Sequence, residues 1–463
     1  MRLLSFTMLV LMTILTGCGN PVDLSPVDGT QTNTPRSDQA TAIVTPQTTM
    51  ASSPSPEIFT TPQPQESDIP IGEDTIHNEA DVDRCGLLLP IVSLPAEPQK
   101  LAKNFDIPTD MVPDEALPAL ERLVSAPESV ALVAYQVGRE SEGVYHNAEQ
   151  PMPLASVVKI ITLIAYAEAV AEGILDPAEW ISLEELNGSY LPGSDLGAHT
   201  RALSELDDRG LIGRDPLSVP LEEVPWMMIR HSSNAASDYI HLALGQKKIE
   251  STAIQLGLVH QTAPCPWIGQ FLVMNNNERA TSNDRAAVQE MIADPEEYGR
   301  EVMRLTRLFT NDPEFHQGEL SQRWRSDMST QRLFGDNLNA QGTAREYADL
   351  MAQILHNGLS SAYVNILTRR ALEWPTELAV NQEYFDVVGY KNGSLPGILT
   401  TVYYGQRRED GAQVVLALFF RDLPMNTYRN WRQSLAHDEF ARWLLMEPSA
   451  IQLLDHLLQD GAG

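Results

Sequence analysis

Three short stretches of this chain carry serine, lysine and asparagine at spacings that can support acyl-transfer chemistry. In "LASVVKIITLIAYAEAV", residues 154 to 170, Ser156 and Lys159 stand three positions apart at the start of a run that is apolar nearly all round. Positions i and i+3 of a helix share a face, so hydroxyl and amine can meet there. A buried lysine is costly unless paired or neutral, and a neutral lysine beside a hydroxyl can take its proton and leave an activated nucleophile. The first turn of a helix also offers free N–H groups to a developing oxyanion. Taken alone, a serine at the start of a helix is explained as well by N-capping. The second stretch is Ser232-Ser233-Asn234 within "VPWMMIRHSSNAASDYI", and the third is Lys391-Asn392-Gly393-Ser394, followed by "LPG".

These residues need elements to hold them. "SVALVAYQV" (129–137) reads as a buried strand and "EGVYHNAEQ" (142–150) as its antiparallel return, after the turn "GRESEG". A helix is predicted over 113–125, with proline at its start and acids in its first turn, and the apolar helix then runs from Ser156 to near Gly173. A helical middle extends to about Trp374. Strands return at 384–393, 397–406 and 412–423, and a helix over 428–446 closes the domain. Strands from both ends of the chain and helices from its middle predict an α+β fold: one antiparallel sheet built from N- and C-terminal segments beside a helical subdomain. No internal repeat is visible.

Ser-x-x-Lys, then Ser-x-Asn, then a Lys-x-Gly triplet at the end of a strand, in that order, resembles the penicillin-recognising serine hydrolases: class A β-lactamases and their penicillin-binding relatives. The resemblance spans roughly residues 110–446 and includes the contexts "GLIGRDPLSVPLEEVPWMMIRHSSN" and "GTAREYADLMAQIL". It implies Ser156 as the acylated nucleophile, Lys159 as its base, and Ser232 as the group that passes a proton to the leaving nitrogen. It implies Asn234 and Lys391 as ligands of the substrate's amide side chain and carboxylate, and the N–H groups of Ser156 and Ser394 as the oxyanion hole. Gly393 would be required because a side chain there would block the approach of substrate. The substrate expected is a β-lactam or a peptidoglycan peptide, with no cofactor.

The match departs from class A enzymes at several points. Ser233 stands where Asp is usual and Asn392 where Thr or Ser is usual. The Glu-x-x-Leu-Asn pattern that supplies their deacylating base does not follow Asn234. Glu278 is the candidate by order, and "EELN" (184–187) approximates the pattern but precedes the second motif. No arginine lies within ten residues after Lys391; Arg407 and Arg408 read as a solvated pair at a turn, and His231 as structural. Residues 265–340 read as a charged helical insertion. Two alternatives to a β-lactamase therefore stay open: a penicillin-binding or DD-peptidase-like enzyme, and a catalytically weak scaffold that binds a protein partner through the insertion.

With 43% hydrophobic and 20% charged residues, the composition is that of an ordinary globular protein. The 463 residues include 62 acids against 32 lysines and arginines, a net charge of −30 that disfavours nucleic acid and anionic membrane surfaces as partners. "MRLLSFTMLVLMTILTGCGN" has a basic start and an apolar run too short to be a typical span, and its end resembles a bacterial lipobox. That implies a signal peptide over 1–18, lipidation of Cys18, and a membrane anchor facing the extracytoplasmic side. Residues 19–100, dominated at first by Thr, Pro, Ser and Gln, are expected to form a disordered linker, and the hydrolase domain to occupy 101–463. Cys85 and Cys265 could pair in an oxidising compartment, though nothing in the sequence places them together. No histidine or cysteine spacing suggests a metal site.

Overall fold

The computed structural model describes residues 85–89, 111–278, 284–321 and 326–461. The expected leader, Cys18 and most of the expected linker lie outside the described residues.

Five strands form one antiparallel sheet: β1 (Val130–Gln136), β2 (Val144–His146), β3 (Phe385–Leu395), β4 (Ile398–Arg407) and β5 (Gln413–Phe420), in the order β2-β1-β5-β4-β3. The N-terminal hairpin thus joins the C-terminal strands through β1 and β5, whose register pairs Val130 with Phe420. β5 reads "QVVLALFF", apolar at successive positions, because both of its faces are covered. Tyr347 packs edge-on against Phe419 and Trp431 against Phe420, so their two helices cover opposite faces of the sheet.

The helices that matter to the site are α1 (Leu117–Ser125), α2 (Lys159–Ala171), α3 (Ala198–Asp208), α4 (Asn234–Leu244), α5 (Trp267–Met274), α6 (Ala344–Leu355), α7 (Ala362–Leu372), α8 (Met425–Ser434) and α9 (Ala436–Met446). Every residue of α2 from Lys159 to Val170 is buried, which explains its lack of a polar face. It sits at the centre of the helical part, against α4 and α7.

The expected architecture, helices beside an antiparallel sheet drawn from both ends of the chain, is the one observed. Four details differ. The segment at Ser156 opens as a 3₁₀ turn (Ala155–Val158) and becomes α-helical only at Lys159. The closing helix is two, α8 and α9, broken where Leu435 adopts φ +58°. The region read as a charged helical insertion begins with α5, whose eight residues are all buried, so this part of it belongs to the core. Residues 85–89, within the span expected to be linker, pack on the domain: Cys85 is bonded to Cys265, and Gly86, Leu87 and Leu89 exchange backbone hydrogen bonds with Gln261 and Ala263.

Candidate active site

The site lies where the edge strand β3 meets the start of α2. Ser156 is the second residue of the 3₁₀ turn, and the turn is held from three sides. Leu154 N–H donates to the Ala340 carbonyl at 2.9 Å, and the Thr400 hydroxyl on β4 donates to the Leu154 carbonyl at 2.8 Å. Ala155 has φ +47°, a costly conformation for a residue with a Cβ, and its N–H donates to Asn339 Oδ1 at 2.8 Å. Ser156 itself is partly exposed.

Gly393 explains how strand and helix come so close. A Cβ built on it would lie 2.6 Å from the Ser156 nitrogen and 2.7 Å from the Leu154 carbonyl oxygen, both backbone atoms. Its hydrogen is therefore needed for β3 to seat against the Ser156 turn, before any approach of substrate is considered. Ser394, one residue on, is opposite Leu399 in the ladder, and its hydroxyl lies 2.9 Å from that of Tyr428 on α8.

Ser232 is the meeting point of the other two motifs. It ends a π-helical turn (Met227–His231) in the left-handed region, φ +68° and ψ +28°, before α4 begins at Asn234. π-turns and left-handed non-glycine residues both carry strain and recur at functional sites. Here the turn presents the two oxygens of Ser232 to two lysines. Lys159 Nζ donates to the Ser232 carbonyl at 2.6 Å and to Asn234 Oδ1 at 2.7 Å. Lys391 Nζ donates to Ser232 Oγ at 2.9 Å and to the Asn392 carbonyl at 2.6 Å. Residues 159, 232, 234 and 391 are thus one hydrogen-bonded cluster, and Gly393 places Ser156 beside it.

Both lysines are wholly buried. Burial lowers the Lys159 amine from 10.5 to about 7, with Asp195 and Asp238 pulling the other way. Burial, reinforced by the charge of Lys159 and opposed by Asp438, holds Lys391 well below its usual range. The cause in both is loss of hydration of the ammonium. A lysine poised near neutrality can act as a base at physiological pH.

Several further residues support the cluster. Trp267, at the start of α5, places its ring centroid 5.0 Å from Lys159 Nζ. Its N–H and that of Ile268 donate to the two oxygens of Asp238 at 2.7 and 2.6 Å, so a buried carboxylate caps α5 and fixes the tryptophan. Asp238 is one helical turn after Asn234, and that i, i+4 spacing was the signal that could have found it. Ser233 caps α4 by accepting from Ala236 N–H, and its hydroxyl lies 2.9 Å from Nδ1 of the buried His199. Asp438 on α9 receives hydroxyls from Tyr390, Thr401 and Tyr403 behind the Lys391 strand.

Other candidates fall elsewhere. Glu278 is exposed and paired with Arg304 at 2.6 Å. His231 bonds Glu205 and stacks edge-on against Trp226, a structural role. Arg408 pairs at the surface with Asp386, whereas Arg407, read as solvated, is buried and bidentate on Asp410. The turn folds back so that Arg407 also reaches the Leu445 carbonyl.

A sequence profile of the beta-lactamase enzyme family matches residues 115–430, a span holding all three motifs. The chain belongs to the beta-lactamase enzyme family. Solved structures similar to it include the β-lactamase of Sphaerobacter thermophilus DSM 20745, 17% identical over 69% of this chain and 92% of that one, with a TM-score of 0.41. They also include PBP-A, 14% identical over 78% and 100% with a TM-score of 0.41, and a β-lactamase from Burkholderia vietnamiensis, 10% identical over 71% and 96% with a TM-score of 0.41. No curated protein matches the chain. In this family member no carboxylate hydrogen-bonds Lys159 among the described residues; its partners are Ser232 and Asn234, and an aromatic ring lies over it.

Proposed function

We propose that this protein is a serine hydrolase of the β-lactamase type, acylated at Ser156 by β-lactams or related amides. The observation that carries the reading is the convergence of two buried lysines on Ser232, with Gly393 against the Ser156 nitrogen. In the proposed step, neutral Lys159 takes the Ser156 hydroxyl proton as Oγ bonds to the substrate carbonyl carbon. The oxyanion is held by the N–H groups of Ser156 and Ser394. The C–N bond then breaks as Ser232, hydrogen-bonded to Lys391, gives its proton to the departing nitrogen and is reprotonated from Lys159. Asn234 and Lys391 hold the substrate's amide and carboxylate.

For release of the acyl group, no carboxylate hydrogen-bonds Lys159 among the described residues, and Glu278 is engaged with Arg304. This favours a second reading, a penicillin-binding enzyme that acts on cell-wall peptides and retains β-lactams as long-lived acyl-enzymes. Incubation with a fluorescent penicillin, denaturing electrophoresis and a parallel nitrocefin assay separate the two. Nitrocefin turnover without a persistent band supports the β-lactamase. A persistent band without turnover supports the penicillin-binding enzyme. Labelling that survives in Ser156→Ala would refute both.

We further propose that the chain is exported and anchored through lipidated Cys18. The Cys85–Cys265 disulfide is in keeping with an oxidising compartment. Metabolic labelling with a fatty-acid probe, lost in Cys18→Ser, tests the anchor; incorporation unchanged in that variant would refute it.

A further inference from the structure

Behind the Lys391 strand, on the face of the sheet turned away from Ser156, lies a buried carboxylate that no step above uses. Asp438, in the first turn of α9, is only 5% exposed. Its hydroxyl donors straddle Lys391. Tyr390 is paired with Tyr403 across β3 and β4, and Asn392 with Thr401, and the Lys391–Val402 pair stands between them. Alternate side chains of a strand point to opposite faces, so residues 390, 401 and 403 reach α9 while Lys391 reaches Ser232. The Tyr390 hydroxyl donates to Asp438 Oδ2 at 3.1 Å, that of Thr401 to Oδ1 at 2.9 Å and that of Tyr403 to Oδ1 at 3.4 Å. Three hydroxyl donors suit an ionised carboxylate, which can only accept. Both groups stay close to one backbone pair: Lys391 Nζ bonds the Asn392 carbonyl at 2.6 Å, and Thr401, opposite Asn392, bonds Asp438. Lys159 faces Lys391 from α2 and opposes its charge, whereas Asp438 favours it. His437 lies 3.5 Å from Asp438, but burial holds its ring below the usual histidine range, so it brings no cation at neutral pH. Arg442, further along α9, is engaged with Glu439 at 3.2 Å, and Glu115, just before α1, adds negative charge near Glu439.

We propose that Asp438 is a positioning residue that acts through Lys391, as the counter-charge that keeps this buried amine an ammonium ready for a substrate carboxylate. The ligand named here rests on the serine-hydrolase reading; the pairing of charges across the sheet does not. An ammonium buried alone gives up its proton to escape the loss of hydration. With water excluded from both faces, an anion on the far side of the sheet is weakly screened and offsets part of that loss. The hydroxyls of Tyr390, Thr401 and Tyr403 hold the anion in place and satisfy it without neutralising it. The direction of the effect follows. Affinity for a carboxylate falls as pH rises through the Lys391 midpoint, and without Asp438 that fall begins at lower pH.

The test follows Lys391 itself, by NMR titration of the full chain carrying lysine labelled at Cε, with the resonance assigned through Lys391→Met. In Asp438→Asn the Lys391 midpoint is expected to fall by about one pH unit or more. Asp438→Ser, also neutral, makes the same comparison if the asparagine variant does not fold. Tyr403→Phe removes a hydroxyl from the carboxylate and leaves its charge. It is expected to lower the melting temperature without lowering the Lys391 midpoint. Coincident midpoints in the wild type and the neutral variants, or an equal fall in Tyr403→Phe, would overturn the role of Asp438. Benzylpenicillin binding is then measured by calorimetry on Ser156→Ala, with and without Asp438→Asn. Above the wild-type midpoint the double variant is expected to bind about tenfold more weakly, and well below both midpoints equally. An identical pH dependence in the two proteins would overturn the use of the ammonium for a carboxylate. Absence of binding at any pH, beside a shifted Lys391 midpoint, would leave the charge pairing standing and refute the serine-hydrolase reading instead.

Discussion

Replacing Trp267 should move the proton affinity of Lys159, in opposite directions for two replacements. At its ordinary 10.5 the amine would be neutral in roughly one molecule in 3,000 at pH 7; at about 7 it is neutral in about half. That difference corresponds to about 5 kcal/mol of burial cost to the ammonium, supplied by a shell that includes the Trp267 ring 5.0 Å away. Leucine at this position keeps the apolar cover but removes the attraction of the ring for a cation. Losing about 0.5–2 kcal/mol of that attraction destabilises the charged form and lowers the proton affinity further, by about one pH unit. Alanine instead opens a space that admits water, hydrates the ammonium and raises the proton affinity by at least about one unit. Under the proposed mechanism acylation needs the neutral amine, so its rate should fall tenfold per unit below the midpoint. The assay is the rate of labelling by a fluorescent penicillin from about pH 5 to 10, with thermal melts to confirm folding, since a buried Trp→Ala change costs about 3–5 kcal/mol. The wild-type midpoint is expected near 7, with Trp267→Leu below it and Trp267→Ala above it. Coincident midpoints in all three proteins, or the reverse order, would refute the claim that this ring and the dryness it maintains set the base.

Three further outcomes follow from the same geometry. Gly393→Ala should lower labelling about 100-fold, because its methyl must push β3 off the Ser156 nitrogen, and should cost about 1–3 kcal/mol in urea unfolding. An anionic penicillin binding to Ser156→Ala should draw in protons, since burial holds Lys391 well below its usual range and a carboxylate ligand raises its proton affinity; affinity then falls as pH rises, and calorimetry in buffers of different ionisation enthalpy reads the uptake. Reduction of Cys85–Cys265, which closes a sequence separation of 180 residues, should cost about 2–5 kcal/mol, seen as a lower melting temperature with reductant that Cys85→Ala makes insensitive to it.

Much of this site could be read before any fold was known, because its chemistry is written in local spacings. Ser156 and Lys159 share one helical face, Ser232 and Asn234 flank a helix start, and Lys391-Asn392-Gly393-Ser394 lies at the end of a strand. The buried character of α2 was equally legible, since twelve consecutive residues with almost no charge can only be a core element. Hydrophobic pattern likewise placed the five strands, apart from the short return β2, which is confined to Val144–His146.

What the chain alone could not show depends on contacts between residues far apart in sequence. That Lys159 and Lys391 both reach Ser232, 73 and 159 positions away, is decided by how α2, α4 and β3 pack. So is the closeness of Gly393 to the Ser156 nitrogen, which made the glycine a condition of assembly as well as of access. Trp267, Asn339 and Thr400 act on the site from distant segments and leave no short-range pattern. Arg407, on an apparently exposed turn, turned inward because the turn folds onto α9. A motif names the functional groups; their proton affinities are set by water excluded from all sides, and that exclusion exists only once the distant segments have closed around them.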